Sequence, residues 1–211
     1  MAVSDPLLLP LANASNDCYA DGAVPTFKNA LDTCHCFQSV VNNTNCLSFE
    51  GTWDWQVWLT DFDAAPIITH PVFGPVHSGY FLTLIPVVDD IEAKLRSIGC
   101  PPFYLTGHSA GAGEAILAAA QLKYRGLKPL AVRAFEPPVV GSKMLWDYLA
   151  DVDLAWTQTK NDCGADLVTL VPFGPPWCPA PNKIVLAVPD SDDLAEKHRM
   201  PAVISALSAS A

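Results

Sequence analysis

Apolar and polar positions recur with two different periods along this chain, and the changes of period mark out its elements. Cys46-Leu47-Ser48-Phe49, Phe103-Tyr104-Leu105-Thr106, Leu130 to Phe135, Leu154 to Thr159 and Lys183 to Val188 read as strands. Between them the spacing turns helical. Leu84, Val88, Ile91, Leu95 and Ile98 form one stripe, with Asp89, Asp90, Glu92, Lys94 and Arg96 opposite, which predicts a helix ending at Ile98. Gly99 closes it, and Pro86 is expected to kink or shorten its start. Ala112 to Tyr124 is alanine- and leucine-rich and stops before Gly126. Further helices are expected over Lys143 to Ala150 and Ala202 to Leu207. Another is expected from Pro25 to Val41, where Phe27, Ala30, Leu31, Cys34 and Val40 recur at helical spacing. Strand alternating with helix is the signature of a mainly parallel α/β sheet with crossovers on both faces.

Composition narrows the function classes. The 211 residues are read as a single domain, 1–211, large enough to bury a sizeable core. Half of them are hydrophobic, which excludes a disordered chain. No apolar run is long enough for a bilayer span, so no transmembrane segment is expected. A net charge of −10 argues against nucleic acid and against attachment to anionic membranes. The N-terminal Met1 to Pro10 has no Lys or Arg and is interrupted by prolines, a poor secretory signal, whereas seven cysteines are many for a cytosolic enzyme. The compartment stays open. Cys18, Cys34, Cys36 and Cys46 are placed to form two disulfides clamping the N-terminal segment. Cys34-His35-Cys36 lacks the paired spacing of a structural zinc site, so no metal is expected.

The candidate chemistry sits at Gly107-His108-Ser109-Ala110-Gly111. A strand precedes it and a helix follows, which is the context of a nucleophile elbow. Its glycines stand where a β-carbon would strike the neighbouring strand or helix. The serine hydroxyl is left free at the carboxyl edge of a sheet, beside the N–H groups of a helix N-terminus. A serine needs a base and an orienting acid, in the chain order Ser, Asp or Glu, His on α/β-hydrolase scaffolds. Of five histidines, His35, His70 and His77 precede the elbow, and His108 lies inside it, aimed away from the Ser109 oxygen. His198 is left as the base. For the acid, Asp162, Asp166, Asp190, Asp192 and Asp193 all fit by position.

Five segments, in order, resemble the class 3 lipases, an α/β-hydrolase family that includes triacylglycerol lipases, feruloyl esterases and phospholipases. Phe49-Glu50-Gly51-Thr52 is similar to the family's Phe-Arg-Gly-Thr/Ser. Trp55 to Asp61 resembles its lid segment, and Val76-His77-Ser78-Gly79-Tyr80 its Val-His-x-Gly-Phe. The elbow follows, then Glu136-Pro137-Pro138-Val139-Val140-Gly141, similar to Gln-Pro-Arg-Val-Gly. Asp166-Leu167-Val168-Thr169-Leu170-Val171-Pro172 fits the segment with the family's catalytic aspartate, so the resemblance selects Asp166. It implies an α/β-hydrolase fold in a compact variant, and an oxyanion hole built from Thr52 and Ala110. The chain departs from the pattern at Glu50, at Ala110 and Ala112-Gly113, and in a short interval from Asp166 to His198.

Trp53, Trp55 and Trp58 fall in an apolar stretch over 53–63, a candidate lid turned towards an acyl chain or lipid interface. Buried core aromatics are the competing reading. The expectation is a serine hydrolase cleaving lipid or small-molecule esters, acylglycerols first, through an acyl-enzyme on Ser109, His198 and Asp166, with no cofactor. The alternatives are a phospholipase, feruloyl-type esterase or acyltransferase on the same triad, or a non-catalytic binding protein on a hydrolase scaffold.

Overall fold

The computed structural model describes residues 4–51, 67–162, 164–190 and 193–210. Thr52, Trp53, Trp55 and Trp58, and with them the whole candidate lid over 53–63, lie outside the described residues. The chain opens with helix α1 (Leu8–Asp17), then strands β1 (Phe27–Lys28), β2 (His35–Val41), β3 (Thr44–Phe49), β4 (Ile67–His70) and β5 (Gly74–His77). Helix α2 (Ser78–Ser97), β6 (Phe103–His108), α3 (Ala110–Tyr124), β7 (Ala131–Phe135), α4 (Lys143–Tyr148) and β8 (Asp153–Asn161) follow. The remainder is β9 (Gly164–Ala165), a 3-10 turn (Val168–Leu170), β10 (Lys183–Ala187), α5 (Leu194–His198) and α6 (Met200–Ser210).

Among the described residues the main sheet runs β1-β2-β3-β6-β7-β8-β10. The pairs from β3 to β10 are parallel, and β1-β2 and β2-β3 are antiparallel. The period of two decides which face each strand residue meets. Leu47 and Phe49, Phe103 and Leu105, Val132 and Ala134, and Leu154 and Trp156 pack with α2 and α3. Cys46, Phe135 and Leu186 join Leu8 and Leu11 of α1 and Val203 and Leu207 of α6 on the other face. Arg133, also on the α1 side, is buried and bonds Asp5 at 2.6 Å and Asp153 at 3.0 Å, which ties the N-terminal segment to the sheet.

Three expectations are corrected. Residues 25–41 form edge strands β1 and β2, not a helix. Asn42 and Asn43, at φ 49° and 59°, turn β2 back onto β3 with Val41 opposite Thr44, and this hairpin overrides the helical spacing. Helix α2 starts at Ser78, with exposed Pro86 inside it, so the proline does not shorten it. Cys18, Cys34, Cys36 and Cys46 are buried free thiols rather than disulfides. The sheet separates Cys34 and Cys36 from Cys46, and the Cys18 sulfur lies within reach of two acceptors for its one hydrogen, the Ala14 carbonyl at 3.6 Å and the Ser48 carbonyl at 3.7 Å. Helix α1 was not anticipated at all.

Candidate functional site

The site is assembled along the carboxyl edge of the parallel strands, where the loops leaving β3, β6, β7, β8 and β10 meet. Open α/β sheets bind their ligands at this edge. Strand β6 ends at His108, and Ser109 turns the chain at φ 56°, a left-handed conformation costly for a residue with a side chain. That strain persists because the backbone is held on both sides: the Ser109 N–H donates to the Phe135 carbonyl at 2.9 Å, and Ala112 N–H to the Ser109 carbonyl at 3.0 Å. The flanking glycines are obligatory for space. A β-carbon on Gly107 would lie 2.3 Å from the Gly111 carbonyl oxygen, and one on Gly111 would lie 2.2 Å from the Phe49 oxygen. Helix α3 can therefore press its N-terminus against the end of β3, the strand that leads to Gly51 and Thr52. Ala110 stands at that N-terminus, directly after the serine.

His198 ends the short helix α5 and is buried. Its Nε2 lies 2.7 Å from Ser109 Oγ, and its Nδ1 lies 2.6 Å from Asp166 Oδ2. The other oxygen of Asp166 accepts the N–H of Val168 at 3.0 Å, from the 3-10 turn that follows. Burial by itself would raise Asp166, but the hydrogen bond and charge of His198, then Glu136 and Val168, hold its carboxyl below the ordinary range. The structure thus brings Ser109, His198, Asp166 and Ala110 to one edge. Of the other candidate acids, Asp190 accepts the N–H of Asp162, Asp193 accepts the N–H of Ala195 at the start of α5, and Asp192 lies outside the described residues.

Two groups beside this array were not picked out as site residues from the sequence. His108 does point away from Ser109. Its Nδ1 accepts from Tyr19 Oη at 2.9 Å, and its Nε2 donates to the carbonyl of His198 at 2.5 Å. Burial, with the neighbouring His198, pushes His108 down to about 3, so the ring stays neutral and one nitrogen accepts while the other donates. Tyr19 Oη also accepts the N–H of Gly51 at 2.9 Å. The second is Glu136, which follows β7 and is fully buried. It brings a carboxyl oxygen within 4.8 Å of ligand atoms of Asp166 and His198. Both nitrogens of His198 are already engaged, so these three form a hydrogen-bonded array rather than a metal cradle. His35 is on the opposite side of β2 from Cys36 and pairs with Glu50 at 2.7 Å, which is where the departure from the family's Arg is accommodated.

A sequence model of class 3 lipases matches residues 46–175. The chain belongs to the class 3 lipase family. Its fold is shared with solved fungal lipases. One is the Rhizomucor miehei triacylglyceride lipase, with a TM-score of 0.69 at 18% identity over 87% of this chain and 80% of that one. Another is a Yarrowia lipolytica lipase, with 0.66 at 19% over 87% and 78%. A third is the Rhizopus microsporus var. chinensis lipase, with 0.62 at 23% over 80% and 61%. Among curated proteins, the Saccharomyces cerevisiae protein named "Putative lipase LIH1" is 29% identical over 120 residues, covering 46% of this chain and 37% of that protein. The chain spans little more than a third of the length of that relative. This class 3 lipase chain has the mainly parallel α/β sheet expected from its alternating elements, and the α/β-hydrolase architecture that the resemblance implies. Among its described residues, no helix is long and apolar enough to cross a membrane.

Proposed function

We propose that this chain is a serine carboxylic-ester hydrolase, working through an acyl-enzyme on lipid esters such as acylglycerols. The observation that carries the reading is the continuous Ser109–His198–Asp166 hydrogen-bonded chain at 2.7 and 2.6 Å, at a strained elbow. Ser109 Oγ attacks the ester carbonyl while His198 Nε2 takes its proton, then returns it to the leaving alkoxide. A water activated by the same nitrogen then cleaves the acyl-enzyme. Asp166, held ionised, fixes the tautomer with the proton on Nδ1 and stabilises the imidazolium. The Ala110 N–H, at the N-terminus of α3, supports one half of an oxyanion hole, and the Thr52 N–H supplies the other. Each such donor is typically worth about 3 kcal/mol in the transition state. The tryptophans at 53, 55 and 58 act as a lid over the acyl chain.

The test is hydrolysis of p-nitrophenyl esters of increasing acyl length by the native chain and by Ser109→Ala. The native chain turns over, the variant loses at least about 10³-fold, and an organophosphonate labels only the native serine. Turnover retained in Ser109→Ala, or no turnover and no labelling of the native chain, would overturn the reading. Adding an alcohol acceptor separates hydrolysis from acyl transfer. Replacing Trp53 and Trp58 by Ser lowers turnover of emulsified esters more than of soluble ones, and equal losses would remove the lid.

A further inference from the structure

Glu136 is a carboxyl that the triad chemistry leaves without a role, and it lies against the triad's own acid. It occupies a left-handed backbone position, φ 53°, directly after β7. Its Oε1 accepts from the Thr157 hydroxyl at 3.0 Å and the Thr159 N–H at 3.1 Å. Its Oε2 receives the same N–H at 2.9 Å and faces the Thr159 hydroxyl at 3.2 Å. That hydroxyl has one hydrogen, and the carbonyl of Lys197 takes it at 2.9 Å. The cage is therefore one hydrogen short for an anion. Beside it stands a second buried carboxyl, Asp166, which has two donors of its own in His198 and Val168.

Two buried carboxyls with oxygens within 4.8 Å of each other do not both ionise readily, and one keeps a proton. Asp166 is the one that faces a group becoming cationic during the reaction, so it carries the charge. We propose that Glu136 is a positioning residue of this site, a carboxylic acid held neutral that donates a hydrogen bond to Asp166. The inference rests on the serine hydrolase reading above and adds a fourth member behind the triad. The donated hydrogen bond fixes the rotamer of Asp166 and disperses its charge, which moderates its pull on the proton of His198.

The electrostatics agree in direction. Burial first, then the charge of Asp166 and the hydrogen bond to it, push Glu136 well above the usual carboxylate range, against the Thr159 N–H and the Thr157 hydroxyl. Among the described residues, few titratable groups surround the pair. Asp166 and His198 lie within 4.8 Å, and His108 lies tilted beside His198, with ring centroids 4.8 Å apart, and stays neutral. Lys197 presents its carbonyl to Thr159 while its ammonium donates to Asn161 at 3.2 Å. No cation among these residues reaches Glu136 to favour its ionisation.

The experiment compares the native chain with Glu136→Gln and Glu136→Leu in the pH profile of kcat/KM on a soluble ester. Glutamine keeps a donor and adds no charge, so the acid limb stays within about 0.2 pH unit of native. Leucine removes the donor, and the limb moves to higher pH by about half a unit, with kcat reduced and KM little changed. A limb displaced to lower pH in Glu136→Gln means that the native carboxyl was ionised, and the proposal fails. A limb unmoved in Glu136→Leu means that the group only supports the fold, and it also fails. Infrared difference spectroscopy of Ser109→Ala with and without Glu136→Gln reads the protonation directly, by loss of one carboxylic-acid carbonyl band. Because that band does not depend on turnover, it separates failure of this assignment from failure of the hydrolase reading. Absence of the band loss overturns the assignment even if the enzyme is active.

Discussion

Tyr19 Oη stands 2.9 Å from Nδ1 of His108, a contact between residues 89 positions apart. It is the middle of a directed chain. Gly51 N–H donates to the phenol, the phenol donates to His108, and His108 Nε2 donates to the carbonyl of His198. The loop after β3, the elbow and His198 are thereby locked in one register. Removing the phenol oxygen in Tyr19→Phe breaks two of these bonds at about 1 kcal/mol each. Kcat on a soluble ester is expected to fall about tenfold, with KM within twofold and no shift of the acid limb. Unchanged kcat would mean that the loop keeps its place without the relay.

The proposed mechanism assigns Asp166 the tautomer of His198 and not its placement alone. Asp166→Asn keeps the shape but offers an NH₂ where an acceptor is needed, and kcat is expected to fall by about 10⁴ with the fold intact. Circular dichroism and a residual rate above that of Ser109→Ala are the checks. A loss of less than tenfold would move the acid role to another aspartate.

Gly111 has no room for a methyl group because the Phe49 carbonyl lies 2.2 Å from where a β-carbon would sit. Gly111→Ala must move α3 away from the end of β3, at a cost of about 1–3 kcal/mol in stability. Activity falls further than stability, because the N–H of Ala110 moves with the helix. Chemical denaturation alongside esterase assays reads both, and a variant with native activity would sink the close-approach account.

Glu114, on the buried side of α3, is pushed up to about 8 by burial, a hydrogen bond from Cys34 only partly opposing it, and the charge of Glu50 adds to the rise. The folded state therefore keeps this acid neutral over a range where the unfolded chain ionises. Stability is fully present below the ordinary value near 4.5, and falls by about 1.4 kcal/mol per pH unit until pH 8, where the loss levels off. Glu114→Gln removes this dependence. Its Tm advantage over the native chain should be smallest at pH 5, grow to pH 8 and then stay constant. An advantage independent of pH would show that the carboxyl is ionised in the fold.

Much of the fold was legible because the parallel core strands carry apolar runs and α2 and α3 carry clear helical periodicity. The segment 25–41 was misread for a definite reason. Its apolar spacing fits a helix, while the Asn42-Asn43 pair just beyond it turns the chain through positive φ and pairs β2 with β3 instead. Helix α1 was hidden by prolines at both ends of Pro6 to Pro10, though Leu8 and Leu11 bury fully once α6 lies beside them.

By itself the sequence singled out the candidate nucleophile and the candidate base. Gly107-His108-Ser109-Ala110-Gly111 is a local motif whose strain and spacing are written in five consecutive residues, and His198 was the histidine left by chain order. The choice of Asp166 came through resemblance, and only the tertiary structure set its oxygen 2.6 Å from the imidazole. Tyr19, His108 and Glu136 had no comparable signal. Their roles depend on which side chains share the carboxyl edge of the sheet, and strand order β3-β6-β7-β8-β10 is fixed by packing across the whole chain, not by any local run of residues. Ionisation follows the same rule. Burial and neighbouring charge decide which of two carboxyls holds a proton, and neither exists until the sheet has closed over them.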